Sequence, residues 1–176
     1  MSLFTQLTRD HTILKTALGS MKIIVQDERY SEFKDELPLI VDFFQKFMDE
    51  YHHHKEERFV FPLIDHSSQE LKNLLPDLLG DHRRGKDLAD SMASSLHSGD
   101  MQRFGQAALQ LYAHMDEHIG EEDRNVWPGM KATVPADLSE AAFKDANSFF
   151  DRQLGGDFTS RMEAFTLAIW GKVKNT

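Results

Sequence analysis

Two stretches of this chain, far apart, read almost the same: HHHKEERFVFP from His52 to Pro62, and HIGEEDRNVWP from His118 to Pro128. Aligned without a gap, they share a His, a Glu four residues later, an Arg, a Val and a closing Pro. A second shared fragment precedes each, Asp10-His11 with Lys15 and Asp81-His82 with Lys86. The repetition keeps metal-binding groups and changes most of the rest. A His and a Glu four apart lie one turn from each other on one helix face. The repeat therefore asks for helices. Two such pairs with two single histidines supply six nitrogen and oxygen donors, a set suited to two metal ions inside a helix bundle.

Apolar spacing agrees. Leu3, Leu7, His11, Leu14, Leu18 and Met21 recur at three- and four-residue steps and predict a helix over about residues 3–26. Leu37, Ile40, Val41, Phe44, Phe47 and Met48 predict a second, about 32–64, with Pro38 tolerated in its first turns. A third is expected over about 69–96, with Ser67 or Ser68 as N-cap, and a fourth over about 99–127. After Trp127-Pro128-Gly129 an irregular stretch is expected as far as Pro135, then two shorter helices over about 137–153 and 157–173. No segment alternates cleanly enough for a strand. The expected class is all-α: an antiparallel up-down-up-down four-helix bundle with two additional C-terminal helices. Counting residues from each turn at about 1.5 Å per residue puts His11, His52, His82 and His118 within roughly 8 Å along such a bundle.

Length and composition set limits. A chain of 176 residues suits one domain with its own core. With no Cys there is no disulfide, iron–sulfur cluster or thiolate site within the chain, which suits a cytoplasmic setting. The N-terminal residues do not read as a signal peptide, and no apolar run is long enough to span a membrane. A net charge of −9 leaves no basic face for nucleic acid.

A single HxxxE on a helix is ordinarily an exposed pair giving a few tenths of a kcal/mol. Two copies, each matched in depth with a further His, would bury four histidines and two carboxylates, which is costly without a cation. The candidate metal ligands are accordingly His11, His52, Glu56, His82, His118 and Glu122, with the two glutamates able to bridge two ions. His53, turned about 100° from His52, and His114, one turn before His118, are candidate extra ligands. His54, His66 and His97 read as surface residues. Glu57, Glu121 and Asp123 read as an acidic face that is solvated or lies behind the ligands.

These motifs, in this order and spacing over residues 3–130, resemble the hemerythrin-like (HHE cation-binding) domain family. The resemblance implies an antiparallel four-helix bundle over residues 1–130, with 131–176 as a helical extension packed on it. It also implies a non-heme di-iron centre, other divalent metals being alternatives. Residue by residue, His11, His52 and Glu56 would serve one half, and His82, His118 and Glu122 the other. Oxygen-carrying members place a second His four residues after the third-helix His, where this chain has Lys86; a metal beside His82 and His118 would then lack a ligand unless His53, His114 or water supplied it. Members that resemble iron–sulfur repair proteins begin with a cysteine-bearing segment, and residues 1–176 hold no Cys to match it. Three functions follow as expectations: binding, sensing or scavenging a small ligand such as dioxygen, nitric oxide or peroxide, or handling iron; a di-iron oxidoreductase; and a metal-stapled adaptor that could form a homodimer through its C-terminal helices.

Overall fold

The computed structural model describes residues 2–175 and is helical throughout, with no strand among the described residues. Helix α1 spans Leu3–Gln26, its first turn capped by the Ser2 hydroxyl, which accepts from the Thr5 amide. A short 3₁₀ turn at Arg29–Ser31 leads to α2, Leu37–Phe43, which carries Pro38 at its start, where a missing N–H costs nothing. The second helical run therefore begins at Leu37, later than the apolar pattern suggested. It then leaves α geometry. Phe44–His53 and Glu56–Val60 are π-helical, and Phe61–His66 closes as 3₁₀. Helix α3 spans Gln69–Ser98, capped by Ser68 and ended by Gly99, whose φ of 74° is open to glycine at little cost. Asp100 caps α4, Met101–Glu121. A π turn, Glu122–Val126, continues directly into α5, Trp127–Thr133. The stretch expected to be irregular is helical because Pro128 falls in the first turn of α5, where proline is tolerated; the break comes only at Val134-Pro135. Helices α6, Ala136–Leu154, and α7, Phe158–Lys174, follow.

The contacts form a ring. Helix α3 packs on α4, α4 on α1, and both α1 and α3 on the Phe44–His53 segment. Helix α7 lies along α1, while α6 packs on Glu56–Val60 and α1. The apolar side chains inside fall into two clusters. One holds Ile13, Leu14, Phe44, Phe47, Met48, Tyr51, Ala89, Met92, Met115 and Ile119 among others. The second holds Leu3, Leu7, Val60, Phe61, Leu71, Leu78, Val126 and Trp127. Along each of the four long runs, the His and Glu residues of the repeat fall between these clusters. A polar layer is thus sealed above and below by apolar packing.

Candidate metal centre

Each long run delivers its donors at the level where the clusters part. His11 comes from α1, His82 from α3 and His118 from α4; His52, His53, Glu56 and Glu122 come from the π-helical segments or their first residues. The π turns are tied to the repeat. Pro62 and Pro128 carry no amide hydrogen and crowd the carbonyl one turn back, so the turn before each widens. The Phe61 amide donates to the Glu56 carbonyl five residues back, and the Trp127 amide to that of Glu122. A closing proline in each copy thereby sets the glutamate backbone.

All seven side chains are at most 2% exposed. Their donor atoms converge. His11 Nε2 lies 3.1 Å from Glu122 Oε2 and 3.8 Å from Glu56 Oε1. His52 Nε2 is 3.3 Å from Glu56 Oε1, His82 Nε2 3.3 Å from Glu56 Oε2, and His118 Nε2 3.6 Å from Glu122 Oε2. Three groups could each hold an ion: His11, His52, Glu56 and Glu122; Glu56, His82, His118 and Glu122; and His53, His82 and His118. Both glutamates fall in both four-residue groups, as residues able to bridge two ions would, although the family resemblance set one in each half. The Nε2 atoms of His11, His52, His82 and His118, both nitrogens of His53 and all four oxygens of Glu56 and Glu122 are buried with no hydrogen-bond partner. Unpartnered polar groups at that depth cost several kcal/mol together. Imidazole nitrogens and carboxylate oxygens around one space are the donors of a first-row divalent ion, and the residues fit such an ion.

Carboxylates stand behind the outward-facing ring nitrogens, within hydrogen-bond distance at His11 and His82 and farther off, without a hydrogen bond, at His52 and His118. His11 Nδ1 is 2.7 Å from Asp123 Oδ1, and His82 Nδ1 is 2.8 Å from Glu57 Oε1. His52 Nδ1 lies 3.7 Å from Asp10 Oδ2, and His118 Nδ1 3.5 Å from Asp81 Oδ2. The pattern is crossed. The Asp of each Asp-His pair stands behind the HxxxE histidine of its own copy, and the acid after each Glu stands behind the Asp-His histidine of the other copy. Carboxylates so placed fix the imidazole tautomer and raise its basicity.

Charge in the layer follows. Burial pushes the His82 imidazolium down, but the oxygens of Glu56 and Glu57 outweigh it and hold its pKa up at about 9. Burial also opposes charge on His11, and Asp123, Glu122 and Glu56 raise it well above the ordinary value nonetheless. Burial raises Glu56, yet the facing histidines take it well below the carboxylate range. His53 goes the other way, driven well below by burial and by the raised, cationic His82 stacked on it. The carboxylates demand positive charge, which a divalent ion would supply in place of protons.

Of the extra candidates, His53 stacks on His82 with centroids 3.9 Å apart, on the side where Gly85 leaves room. His114 stays outside the three groups: its Nε2 donates to the Asp81 carbonyl at 2.9 Å. Lys86 points away, paired with Asp90 at 2.7 Å and half exposed. His54 is partly covered by Phe149 and Phe150, so it is less solvated than its angle on an ideal helix implied. His66 and His97 are exposed, and Glu121 accepts from Asn125 away from the layer.

One pair escaped the motif reading. Lys55 is fully buried, its Nζ 2.6 Å from Asp10 Oδ2 and 3.7 Å from the centroid of the Tyr51 ring. The available signal was its place three residues after His52, on the same helix face.

Comparison with known proteins agrees with the donor layer. The sequence profile of the hemerythrin HHE cation binding domain matches residues 2–129. Uncharacterized proteins of Mycobacterium bovis and Mycobacterium tuberculosis are similar, each 26% identical over 161 residues that cover 84% of this chain. The match covers 59% of each relative, so the chain spans well under two thirds of their length. No solved structure matches. No helix among the described residues is long and apolar enough to cross a membrane. With the profile covering most of the chain, and the cation-binding donors gathered in one buried layer, this chain belongs to the hemerythrin HHE cation-binding domain family.

Proposed function

We propose that the chain binds two iron ions in this layer and uses them to bind, sense or scavenge a small ligand such as dioxygen, nitric oxide or peroxide. The observation that carries the reading is the set of orphaned buried donors, arranged as two overlapping groups that share Glu56 and Glu122. The assigned ligands are His11, His52, Glu56, Glu122, His82, His118 and His53. The ring of contacts supports an antiparallel up-down-up-down bundle over residues 1–130, with 131–176 as an extension against it. Fold and site then belong together, since such bundles hold paired carboxylate-bridged ions in their cores.

Iron bound there would supply Lewis acidity and electrons to a small ligand. The chain's own residues do the rest. Asp123, Glu57, Asp10 and Asp81 orient the imidazoles, Glu56 and Glu122 would be shared by the two ions, and the apolar clusters exclude bulk water. Burial restricts access to molecules of a few atoms. A surface hollow of about 420 Å³ is lined by Phe4, Thr5, Thr8, Asp123, Trp127, Pro128 and Lys131, against the two residues that back His11. That side is the assigned entry.

Iron-loaded protein exposed to azide, nitric oxide and peroxide should give new visible absorption bands that saturate with ligand. A spectrum indifferent to all three would leave the metal structural and favour the adaptor reading. Sustained consumption of peroxide or nitric oxide with an electron donor would identify an oxidoreductase instead.

A further inference from the structure

The two halves of the donor layer differ in ways the repeat does not require. His11 and His52 offer two imidazole nitrogens beside Glu56 and Glu122; His82 and His118 do the same in a second group, and His53 joins those two histidines in a third group that holds neither glutamate. The outer carboxylates differ as well. Asp10, near His52, is wholly buried and paired with the buried Lys55, and Asp123, behind His11, is paired with Lys15 at 2.9 Å. Their counterparts Glu57 and Asp81 are 43% and 42% exposed, and neither has a Lys or Arg partner among the described residues. In the aligned copies Lys55 answers to Glu121, a reversal of charge, and His53 answers to Ile119. Both differences fall beside the shared His and Glu of the repeat.

We propose that the two positions take metal in order, the His53–His82–His118 position first and tightly, the His11–His52 position second and loosely, with Lys55 and Lys15 widening the gap. This rests on the two-metal reading above. An ion is held by donor number and by the charge around the donors. A carboxylate already balanced by an ammonium lends less negative charge to the imidazole it faces, so His11 and His52 are the poorer donors as well as the fewer. Lys55 acts where water does not screen it. Water screens Glu57 and Asp81, which shrinks the difference without reversing it. The chain would then hold one ion when metal is scarce and complete the pair only when it is plentiful, a graded response to supply.

Stepwise addition of Mn²⁺ to metal-free protein, followed by electron paramagnetic resonance, separates isolated ions from exchange-coupled pairs. The expected course is an isolated-ion signal that grows to about one ion per chain and then falls, the second step weaker by about tenfold or more. Coupled pairs from the first additions would overturn the proposal. His52→Gln should keep the tight step and lose the weak one, and His53→Gln should lose the tight step; the reverse assignment also overturns it. Lys15→Gln, at an exposed position, should strengthen the second step by about two- to fivefold and leave the first alone. Lys55→Met, checked by circular dichroism for its fold, should strengthen it more. An unchanged gap in both variants would overturn the role given to the lysines. Wild-type protein that binds neither Mn²⁺ nor Fe²⁺ would overturn the two-metal reading itself.

Discussion

His53 shows how much a single residue's part depends on local geometry. On a regular helix it points about 100° from His52 and could either supply a nitrogen or rest at a seam; in the π-helical segment both rings reach the same layer, with centroids 5.7 Å apart. The six other candidate ligands, which the fold gathers in one buried layer, were legible because a repeat names residues directly. Lys55 was not, because a lysine between a histidine and a glutamate reads as solvated, and its burial depends on Asp10 from another helix. Removing one partner of such a pair leaves a buried charge. Lys55→Met should cost about 3–5 kcal/mol in urea unfolding, and the double variant with Asp10→Asn clearly less. An equal or larger loss in the double variant would mean that the pair is not coupled. Glu57→Ala and Asp123→Ala should each weaken metal binding by about 10- to 100-fold without changing stoichiometry, since they orient and polarise a ligand and do not replace one. His54→Ala should leave metal binding unchanged, as its ring packs on Phe149 and Phe150 outside the layer.

At the scale of elements, apolar spacing located most helix ends to within a few residues, because Ser68, Gly99 and Asp100 are strong local signals. It missed the π turns. Hydrophobic period reports which face is buried and averages over the one extra residue per turn that moves Glu56 and Glu122. It also missed α5, where Trp127-Pro128-Gly129 looks like a stop and Pro128 instead sits in a first turn. Close approach is tested at Gly85, where an added Cβ would stand 3.3 Å from Met115 Sδ and 3.6 Å from His53 Cε1. Gly85→Val should displace the His53 ring and lower occupancy of the neighbouring metal position, with helix content by circular dichroism unchanged. Full occupancy in that variant would show that His53 is not needed there.

For the molecule as a whole, the layer between the two apolar clusters is a site of stored charge that protons or metal must balance. In the metal-free chain the His82 pKa stands at about 9 against 6.5 for a free imidazole, and His11 is raised as well. Such groups add stability that is fully present below pH 6.5 and is lost as pH rises through 9, because the folded state alone keeps the protons. His53, shifted downward, acts in the opposite sense and costs stability below pH 6.5. The melting temperature of metal-free protein should therefore fall from pH 7 to pH 9. Metal-loaded protein should hold level over that range and release protons on loading. The same balance of charge makes metal content decisive for a glutamate-bridged pair. Iron bound per chain at anaerobic equilibrium dialysis against excess ferrous ion should reach two in the native protein and fall well below that in the Glu56→Ala, Glu122→Ala double variant. Native protein that retains no iron, or a double variant that still holds both ions, would contradict a glutamate-bridged pair in this layer.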